Sequence, residues 1–153
     1  MKYASIGIFV QEIPNEISLG ISISGCPIHC MGCHSSFTWD KEYGKDIDPV
    51  VLRSLLEDRK HISCVLFYGG DWEYLELLEL LKVVRRLNLK TALYSGYDTI
   101  NTSLLPYVDY YKIGHYDRNL GGLSSVSTNQ KLYKVVNNSI EDITHQLRKE
   151  VKC

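Results

Sequence analysis

The chain has 153 residues, of which 44% are hydrophobic and 23% are charged, and its formal net charge at pH 7 is −1. This length favours a single domain over residues 1–153, and the balanced charge lacks the basic excess that is typical of nucleic-acid-binding proteins. No apolar run approaches the roughly 20 residues that a membrane-spanning helix needs, and the N-terminus is unlike a signal peptide. We therefore expect a cytoplasmic globular domain whose partners are neither nucleic acids nor membranes.

Regular elements are predicted along the whole chain from apolar patterning and turn residues. Two strands come first, over residues 4–10 and 17–23, and a cysteine-containing loop then continues to about Gly44. Asp48 and Pro49 predict a helix that runs to about Arg59, since Asp caps helices and Pro suits their first position. The later predicted elements, in chain order, are a strand over 62–67, a helix over 73–87, a strand over 90–94, a short helix over 99–105 that Pro106 stops, a strand over 108–113, a loop over 114–130, a strand over 132–136 and a terminal helix over 139–151.

Strands that alternate with helices predict an α/β fold with a parallel sheet. Glycine-containing turns at positions 25, 69–70, 96 and 114 each follow a predicted strand. In parallel α/β folds, ligands bind where the carboxyl ends of the strands meet. We therefore expect these four turns to lie along one edge of the sheet, with the cysteine loop among them.

The chain has five cysteines, and three of them follow one another with the spacing Cys-x3-Cys-x2-Cys. An odd total with this clustering does not suit a secreted disulfide framework, and it favours metal ligands in a reducing compartment. A fourth cysteine falls in an apolar strand, where core packing is expected. The five are Cys26, Cys30 and Cys33 in the cluster, Cys64 in the strand, and Cys153 at the C-terminus.

The three thiolates of Cys26, Cys30 and Cys33 can hold a [4Fe–4S] cluster and leave its fourth iron open. An open position is typical of catalytic metal sites, whereas electron-carrying clusters usually have a cysteine on every iron. Structural zinc is the main alternative, with His34 as the fourth ligand. Zinc modules more often join two separated ligand pairs, and adjacent ligands at Cys33 and His34 suit one tetrahedral ion poorly. Unligated cysteines are a third interpretation.

The turn Tyr68-Gly69-Gly70-Asp71 also has two interpretations. In one it is a plain strand-to-helix connection, in which Asp71 caps the helix. In the other its backbone edge and carboxylate hold the ammonium group of a ligand. The predicted position of the turn beside the cysteine loop favours the second interpretation.

The cysteine loop, from Ser24 to His34 and followed by Thr38-Trp39, resembles that of the activating proteins of anaerobic (class III) ribonucleotide reductase. These proteins belong to the radical S-adenosylmethionine (SAM) superfamily, whose signature is the same cysteine spacing. Further similar segments occur in family order along about the whole chain. They are Gly69-Gly70-Asp71, Ser95-Gly96-Tyr97, Gly114 with Tyr116, and Ser127-Thr128-Asn129-Gln130.

The resemblance implies a partial, laterally open (β/α) barrel of the radical SAM type. It implies one [4Fe–4S] cluster per chain, with SAM bound at the open iron and cleaved after one-electron reduction. The implied product is a glycyl radical on the large subunit of anaerobic ribonucleotide reductase, with a flavodoxin- or ferredoxin-type electron donor. The implied cofactor-binding residues at the SAM amino group are Gly69, Gly70 and Asp71. Gly32 and His34 are implied near the adenine, and Cys33, which stands between these two in the sequence, is also an implied cofactor-binding residue.

Three residues depart from the family pattern, and no role is carried over to them: Trp72, Ile113 and Val126. Two alternative functions remain beside the reductase activase. One is activation of another glycyl radical enzyme, although many such activases carry a ferredoxin-like insert with further cysteine clusters, which this sequence lacks. The other is a non-catalytic interaction module that is held together by structural zinc.

Overall fold

The computed structural model describes residues 1–148, which form eight strands, two α-helices and four short 3₁₀ helices. The strands are β1 (Lys2–Phe9), β2 (Ser18–Ile23), β3 (Lys45–Asp46), β4 (Cys64–Tyr68), β5 (Lys90–Tyr94), β6 (Tyr110–Ile113), β7 (Lys131–Val136) and β8 (Ser139–Asp142). The α-helices are α1 (Pro49–Glu57) and α2 (Tyr74–Arg86). The 3₁₀ helices are Ser36–Thr38, Asp71–Glu73, Thr102–Tyr107 and Thr144–Leu147.

All eight strands form one sheet in the order β3-β1-β2-β4-β5-β6-β7-β8. The four central strands β2, β4, β5 and β6 are parallel, as the sequence predicts. The outer strands pair antiparallel, so the sheet is mixed and the predicted parallel pairing applies to its four central strands. Within the described residues the sheet is not closed, because β3 and β8 occupy its two edges. A radical SAM barrel stays a prediction.

The sheet separates two apolar cores of unequal size. The helices α1 and α2 cover one face and build the larger core, which is typical of crossover connections between parallel strands. Its fully buried members include Leu19, Ile21, Leu52, Phe67, Leu77, Leu80, Leu93 and Tyr111. The opposite face carries a smaller core of Ile13, Cys64, Leu66, Ala92, Tyr110, Leu132 and Ile143. The predicted core position of Cys64 is therefore confirmed.

The start of α1 follows the sequence signal closely. The Asp48 carboxylate accepts a hydrogen bond from the Val51 backbone N–H at 2.8 Å, and Pro49 takes the first helical position. This cap satisfies one of the backbone donors that a helix leaves unpaired at its N-terminus.

No helix within residues 1–148 has the length and apolar character that crossing a membrane requires.

The predicted terminal helix over 139–151 is wrong within the described residues. Asn137 and Asn138 both have positive φ, 50° and 61°, which is the backbone of a tight hairpin turn. The chain therefore reverses after β7 and adds β8 as an antiparallel edge strand. Residues 149–151 of that prediction, and Cys153, lie outside the described residues.

The short helix predicted to stop before Pro106 is a 3₁₀ helix that contains Pro106.

Replacing Leu80 by Ala tests the larger core. The Leu80 side chain is 1% exposed on α2, and its truncation leaves a cavity under the sheet. We expect the free energy of unfolding to fall by about 2–5 kcal/mol in urea titrations. Leu75→Ala on the same helix is the matched control, because Leu75 is 74% exposed and its loss should change stability by less than about 0.5 kcal/mol. Equal effects of the two changes would contradict the packing of α2.

Candidate functional site

The cysteine loop is closed at its base by two backbone hydrogen bonds. It begins directly after β2, where the N–H groups of Gly25 and Cys26 both donate to the Thr38 carbonyl, at 2.7 and 3.0 Å. Gly25 has φ of +92°, a conformation that residues with a Cβ rarely adopt. The chain therefore leaves the carboxyl end of β2, forms an arc that carries the three cysteines, and returns to the same point.

Inside the arc, local contacts fix the backbone around the thiols. His29 has φ of +50°, and its ring stacks on Trp39 with centroids 4.5 Å apart. The Cys33 N–H donates to the Cys30 carbonyl at 3.1 Å, and the Ser35 N–H donates to the Cys33 sulfur at 3.3 Å. These contacts make His29 part of the framework that shapes the arc.

Cys26, Cys30 and Cys33 are all free thiols of intermediate exposure. Burial raises the pKa of the Cys26 thiol, although backbone hydrogen bonds to its sulfur oppose that shift. Within residues 1–148, no three His, Cys, Asp or Glu side chains converge on a point that suits one metal ion. A cubane cluster does not require such convergence, because each thiolate binds a different iron.

The predicted alignment of the four glycine turns along one edge is confirmed by their backbone hydrogen bonds. Gly69 N–H donates to the Tyr94 carbonyl at 2.8 Å, and Gly114 N–H donates to the Tyr97 carbonyl at 2.7 Å. Ile28 of the cysteine arc packs on the third turn, since a Cβ at Gly96 would lie 2.6 Å from the end of its side chain. The arc therefore lies over the carboxyl ends of the parallel strands.

The second turn combines two left-handed glycines with a covering tryptophan. Gly69 and Gly70 have φ of +80° and +102°. A Cβ at Gly69 would lie 2.3 Å from the Trp72 ring, so the turn cannot carry a side chain there without displacing that ring. Trp72, one of the departures from the family pattern, thus covers the glycine turn on the side of α2. The other two departures lie elsewhere, with Ile113 packed against the larger core and Val126 70% exposed.

Asp71 does not cap α2, so the capping interpretation is wrong. No side chain caps that helix, whose N-cap position is Glu73. Instead, Asp71 Oδ2 accepts a hydrogen bond from the Ser95 hydroxyl at 2.6 Å. Its other oxygen, Oδ1, is buried without a hydrogen-bond partner among the described residues. Burial raises the pKa of the Asp71 carboxyl, and the hydrogen bond from Ser95 opposes that rise.

The segment after β6 lies beside the cysteine arc and contacts its far end. The His34 ring, which is exposed, lies 5.2 Å from the Tyr116 ring, and the space above Gly32 is bordered by Tyr116 and Arg118. Gln130 holds this segment in place, since its side-chain amide donates to the carbonyls of Gly114 and His115. The structure thus brings Gly32 and His34 near the fourth turn, whereas Gly69, Gly70 and Asp71 lie at the second.

Three adjoining cavities surround the arc. The first, of about 170 Å³, is lined by all three clustered cysteines together with Gly69 and Gly96. A second cavity, of about 340 Å³, lies on the other side of Cys30 and is bordered by His115 and Arg118. A third, of about 450 Å³, lies on the sheet face that carries the smaller core. Its lining includes Glu12, His34, Tyr68, Tyr94 and Leu123.

Sequence reasoning did not identify Lys112 or Glu12 as part of this site. Lys112 is 8% exposed at the end of β6, and burial lowers the pKa of its ammonium group to about 8. Glu12 borders the third cavity, and burial raises the pKa of its carboxyl. The sequence signal that could have indicated Lys112 is a lysine inside an otherwise apolar strand, two residues before a glycine turn.

Two comparisons with known proteins bear on the chain. Residues 17–136 match the family described as a 4Fe-4S single cluster domain. The anaerobic ribonucleoside-triphosphate reductase-activating protein of Pasteurella multocida (strain Pm70) is 26% identical, over 82% of this chain and 96% of that relative. No solved structure matches significantly. Because the family match covers most of the chain, including the whole cysteine arc, this chain belongs to the 4Fe-4S single cluster domain family.

Proposed function

We propose that this chain is a radical SAM activase, which cleaves SAM reductively and thereby generates a glycyl radical on anaerobic ribonucleotide reductase. The observation that carries the proposal is a cysteine arc with three free thiols at the carboxyl ends of the parallel strands, where one cavity joins all three cysteines to the Gly69 turn. In the same turn, the buried Asp71 Oδ1 has no hydrogen-bond partner among the described residues. The family supports the cluster, and the name of the Pasteurella relative, a reductase-activating protein, supports the reductase as the target.

The residues present fit a [4Fe–4S] cluster that is bound by Cys26, Cys30 and Cys33. Thiolates are the usual protein ligands of such clusters, and three of them leave one iron for an exogenous ligand. The arc presents its cysteines toward a shared cavity, and its glycines let the backbone pass close to a bulky group. Within the described residues the fourth cysteine, Cys64, is fully buried in the smaller core and does not line this cavity.

When bound, the reduced cluster and SAM supply the one-electron chemistry that yields 5′-deoxyadenosine and methionine. The contribution of this chain is to bind and orient SAM and to shield the reacting groups from water and oxygen. The unpartnered Asp71 oxygen and the Gly69-Gly70 backbone accept the SAM ammonium group, while Gly32 and His34 border the adenine. The Ser95 hydroxyl holds the Asp71 carboxylate in its orientation.

The third cavity provides the entrance that a protein substrate requires. It lies on the sheet face that neither α1 nor α2 covers, and it shares Tyr68, Tyr94 and Lys112 with the cavity of the cysteines. We propose that the glycine-bearing segment of the reductase enters there. A flavodoxin- or ferredoxin-type protein is the proposed electron donor, because a [4Fe–4S] cluster of this kind needs a one-electron reductant of low potential.

Single replacements of the clustered cysteines test the cluster ligands. Cys26→Ala, Cys30→Ala and Cys33→Ala should each lose most of the iron and the brown colour after anaerobic reconstitution, because each removes one of three ligands. Iron and sulfide analysis measures the result, with about four irons per chain expected in the unchanged protein. Cys64→Ala is the control and should retain a full cluster. Unchanged iron in all three variants, or one zinc per colourless chain, would contradict the assignment and favour the zinc module.

Product analysis tests the reaction. The reduced, reconstituted protein should convert SAM to 5′-deoxyadenosine and methionine, which chromatography with mass detection quantifies. With the anaerobic reductase added, electron paramagnetic resonance should show a glycyl radical that is absent when the reductase glycine is replaced by alanine. SAM cleavage with a radical on a different glycyl radical enzyme alone would instead support the alternative activase. A fully loaded, reduced protein that leaves SAM intact would refute the proposal.

Asp71→Asn should change the stability of the fold and the affinity for SAM in opposite directions. The folded-state pKa of Asp71 is raised, so the charged carboxylate destabilises the fold above that pKa, and protonation at lower pH relieves the cost. The neutral amide should therefore raise the unfolding free energy at pH 7–8 by on the order of 1 kcal/mol. This gain should shrink as the pH falls through the Asp71 pKa, while SAM affinity decreases.

Chemical denaturation across pH and SAM titration of the reconstituted protein measure the two effects of Asp71→Asn. Glu79→Gln is the control, because Glu79 is an exposed residue of α2 whose carboxylate only pairs with Lys82 at the surface. A less stable Asp71→Asn protein with unchanged SAM affinity would show that the carboxylate is structural.

A further inference from the structure

We propose that the rings of Tyr68 and Tyr94 select glycine as the residue that reacts, because they leave no room for a side chain beside the incoming segment of the reductase. This inference rests on the proposed function and names specificity-determining residues of the same site. Three observations carry it: the position of the two rings between two cavities, the contacts that hold the rings in place, and the uncharged surface that they present.

Tyr68 and Tyr94 stand between the third cavity and the cavity of the cysteines. They are the last residues of β4 and β5, they pair directly in the parallel register, and each lines both cavities. The open space narrows across them, from about 450 Å³ in the third cavity to about 170 Å³ in the cavity of the cysteines. A segment that enters by the third cavity therefore passes these two rings before it reaches the thiols.

Contacts with neighbouring side chains and backbone hold the two rings in place. The Tyr68 and Tyr94 rings meet edge to face, with centroids 5.4 Å apart and planes at 85°. Tyr68 also meets the Phe9 ring edge to face at 5.7 Å, and the Tyr94 hydroxyl donates a hydrogen bond to the Glu12 carbonyl. Edge-to-face contacts are favourable and geometrically specific, so turning either ring aside would break several contacts at once.

A glycine in β2 determines how closely the Tyr68 ring approaches the sheet. A Cβ at Gly20 would lie 2.8 Å from the Tyr68 ring and 2.5 Å from the Phe9 ring, so these rings occupy the space that a side chain would fill. Tyr68 therefore packs directly on the backbone of β2 and has no free space on that side into which it could move.

The two rings present an uncharged surface to the cavities. Burial raises the pKa of both phenols, and the nearby Glu12 charge adds to that rise, so both tyrosines are neutral near pH 7. A larger residue beside such a wall would have to displace a ring or a strand, and overpacking of this kind is unfavourable. Glycine lets the main chain approach closely, and hydrogen transfer requires reacting atoms to come within about 3–3.5 Å of each other.

Peptide binding tests the selection. The peptides carry the sequence around the radical glycine of the reductase, with glycine, alanine or valine at that one position. Calorimetry measures their affinity for anaerobically reconstituted protein with SAM bound and no reductant, so that SAM is not consumed. We expect the wild-type protein to bind the glycine peptide at least about tenfold more tightly than the valine peptide. Tyr68→Ala and Tyr94→Ala should each reduce this ratio below about threefold, because each opens a space of side-chain size beside the segment.

Two further variants separate the shape of the wall from other effects. Tyr68→Phe keeps the ring and should keep the preference for glycine. Tyr133→Ala is the matched control, because Tyr133 is a half-buried tyrosine of β7 that borders none of the three cavities within residues 1–148. If an alanine variant does not load a cluster, valine at the same position takes its place, since valine suits a strand and still removes the ring.

Deuterium transfer gives a second readout with the whole reductase. In the proposed reaction one hydrogen atom passes from the glycine Cα to C5′ of the deoxyadenosyl group, so dideuterated glycine in the reductase should yield deuterated 5′-deoxyadenosine. The deuterated fraction should fall about twofold or more in the alanine variants, because the glycine is positioned less closely.

A wild-type protein that binds the three peptides equally, or alanine variants with unchanged glycine preference and deuterium transfer, would overturn the role of the rings. Cleavage of SAM with deuterium transfer in the wild-type protein would still leave the proposed function intact. A loaded, reduced wild-type protein that leaves SAM intact would instead refute the proposed function itself.

Discussion

The parallel pairing of β2, β4, β5 and β6 is the constraint on which the site depends. Parallel strands end on the same side of a sheet, so the segments that follow them must meet there. In this chain those segments are the cysteine arc, the Gly69-Gly70-Asp71 turn, the Ser95-Gly96 turn and the Gly114 turn. Residues that are distant in sequence, such as Cys30 and Lys112, thereby line one cavity.

The two faces of the sheet have different tasks. The helices α1 and α2 cover one face and supply most of the apolar burial, which stabilises the strands in their register. The other face has only a small core and retains a large cavity beside the cysteine arc. This asymmetry leaves the carboxyl edge accessible, and a reaction on a segment of another protein requires such access.

Much of this arrangement is predictable from the sequence because its signals are local. The Asp48-Pro49 helix start, the central strands and the shared edge of the glycine turns follow from capping, apolar runs and strand ends. The rest depends on tertiary contacts. Asp71 has the sequence context of a helix cap, and only the folded structure shows that its carboxylate accepts a hydrogen bond from Ser95 instead. The β7–β8 hairpin was missed because its turn is formed by two asparagines, and the polar segment after them suits a surface helix equally well.

The central claim is that three thiolates leave one iron of the cluster open for SAM. Mössbauer spectroscopy of protein that is reconstituted with isotopically enriched iron, recorded with and without SAM, tests it most directly. The account predicts that SAM changes the spectrum of one iron site and leaves the other three nearly unchanged. Spectra in which every iron is insensitive to SAM, or a protein that takes up zinc in place of a cluster, would contradict it.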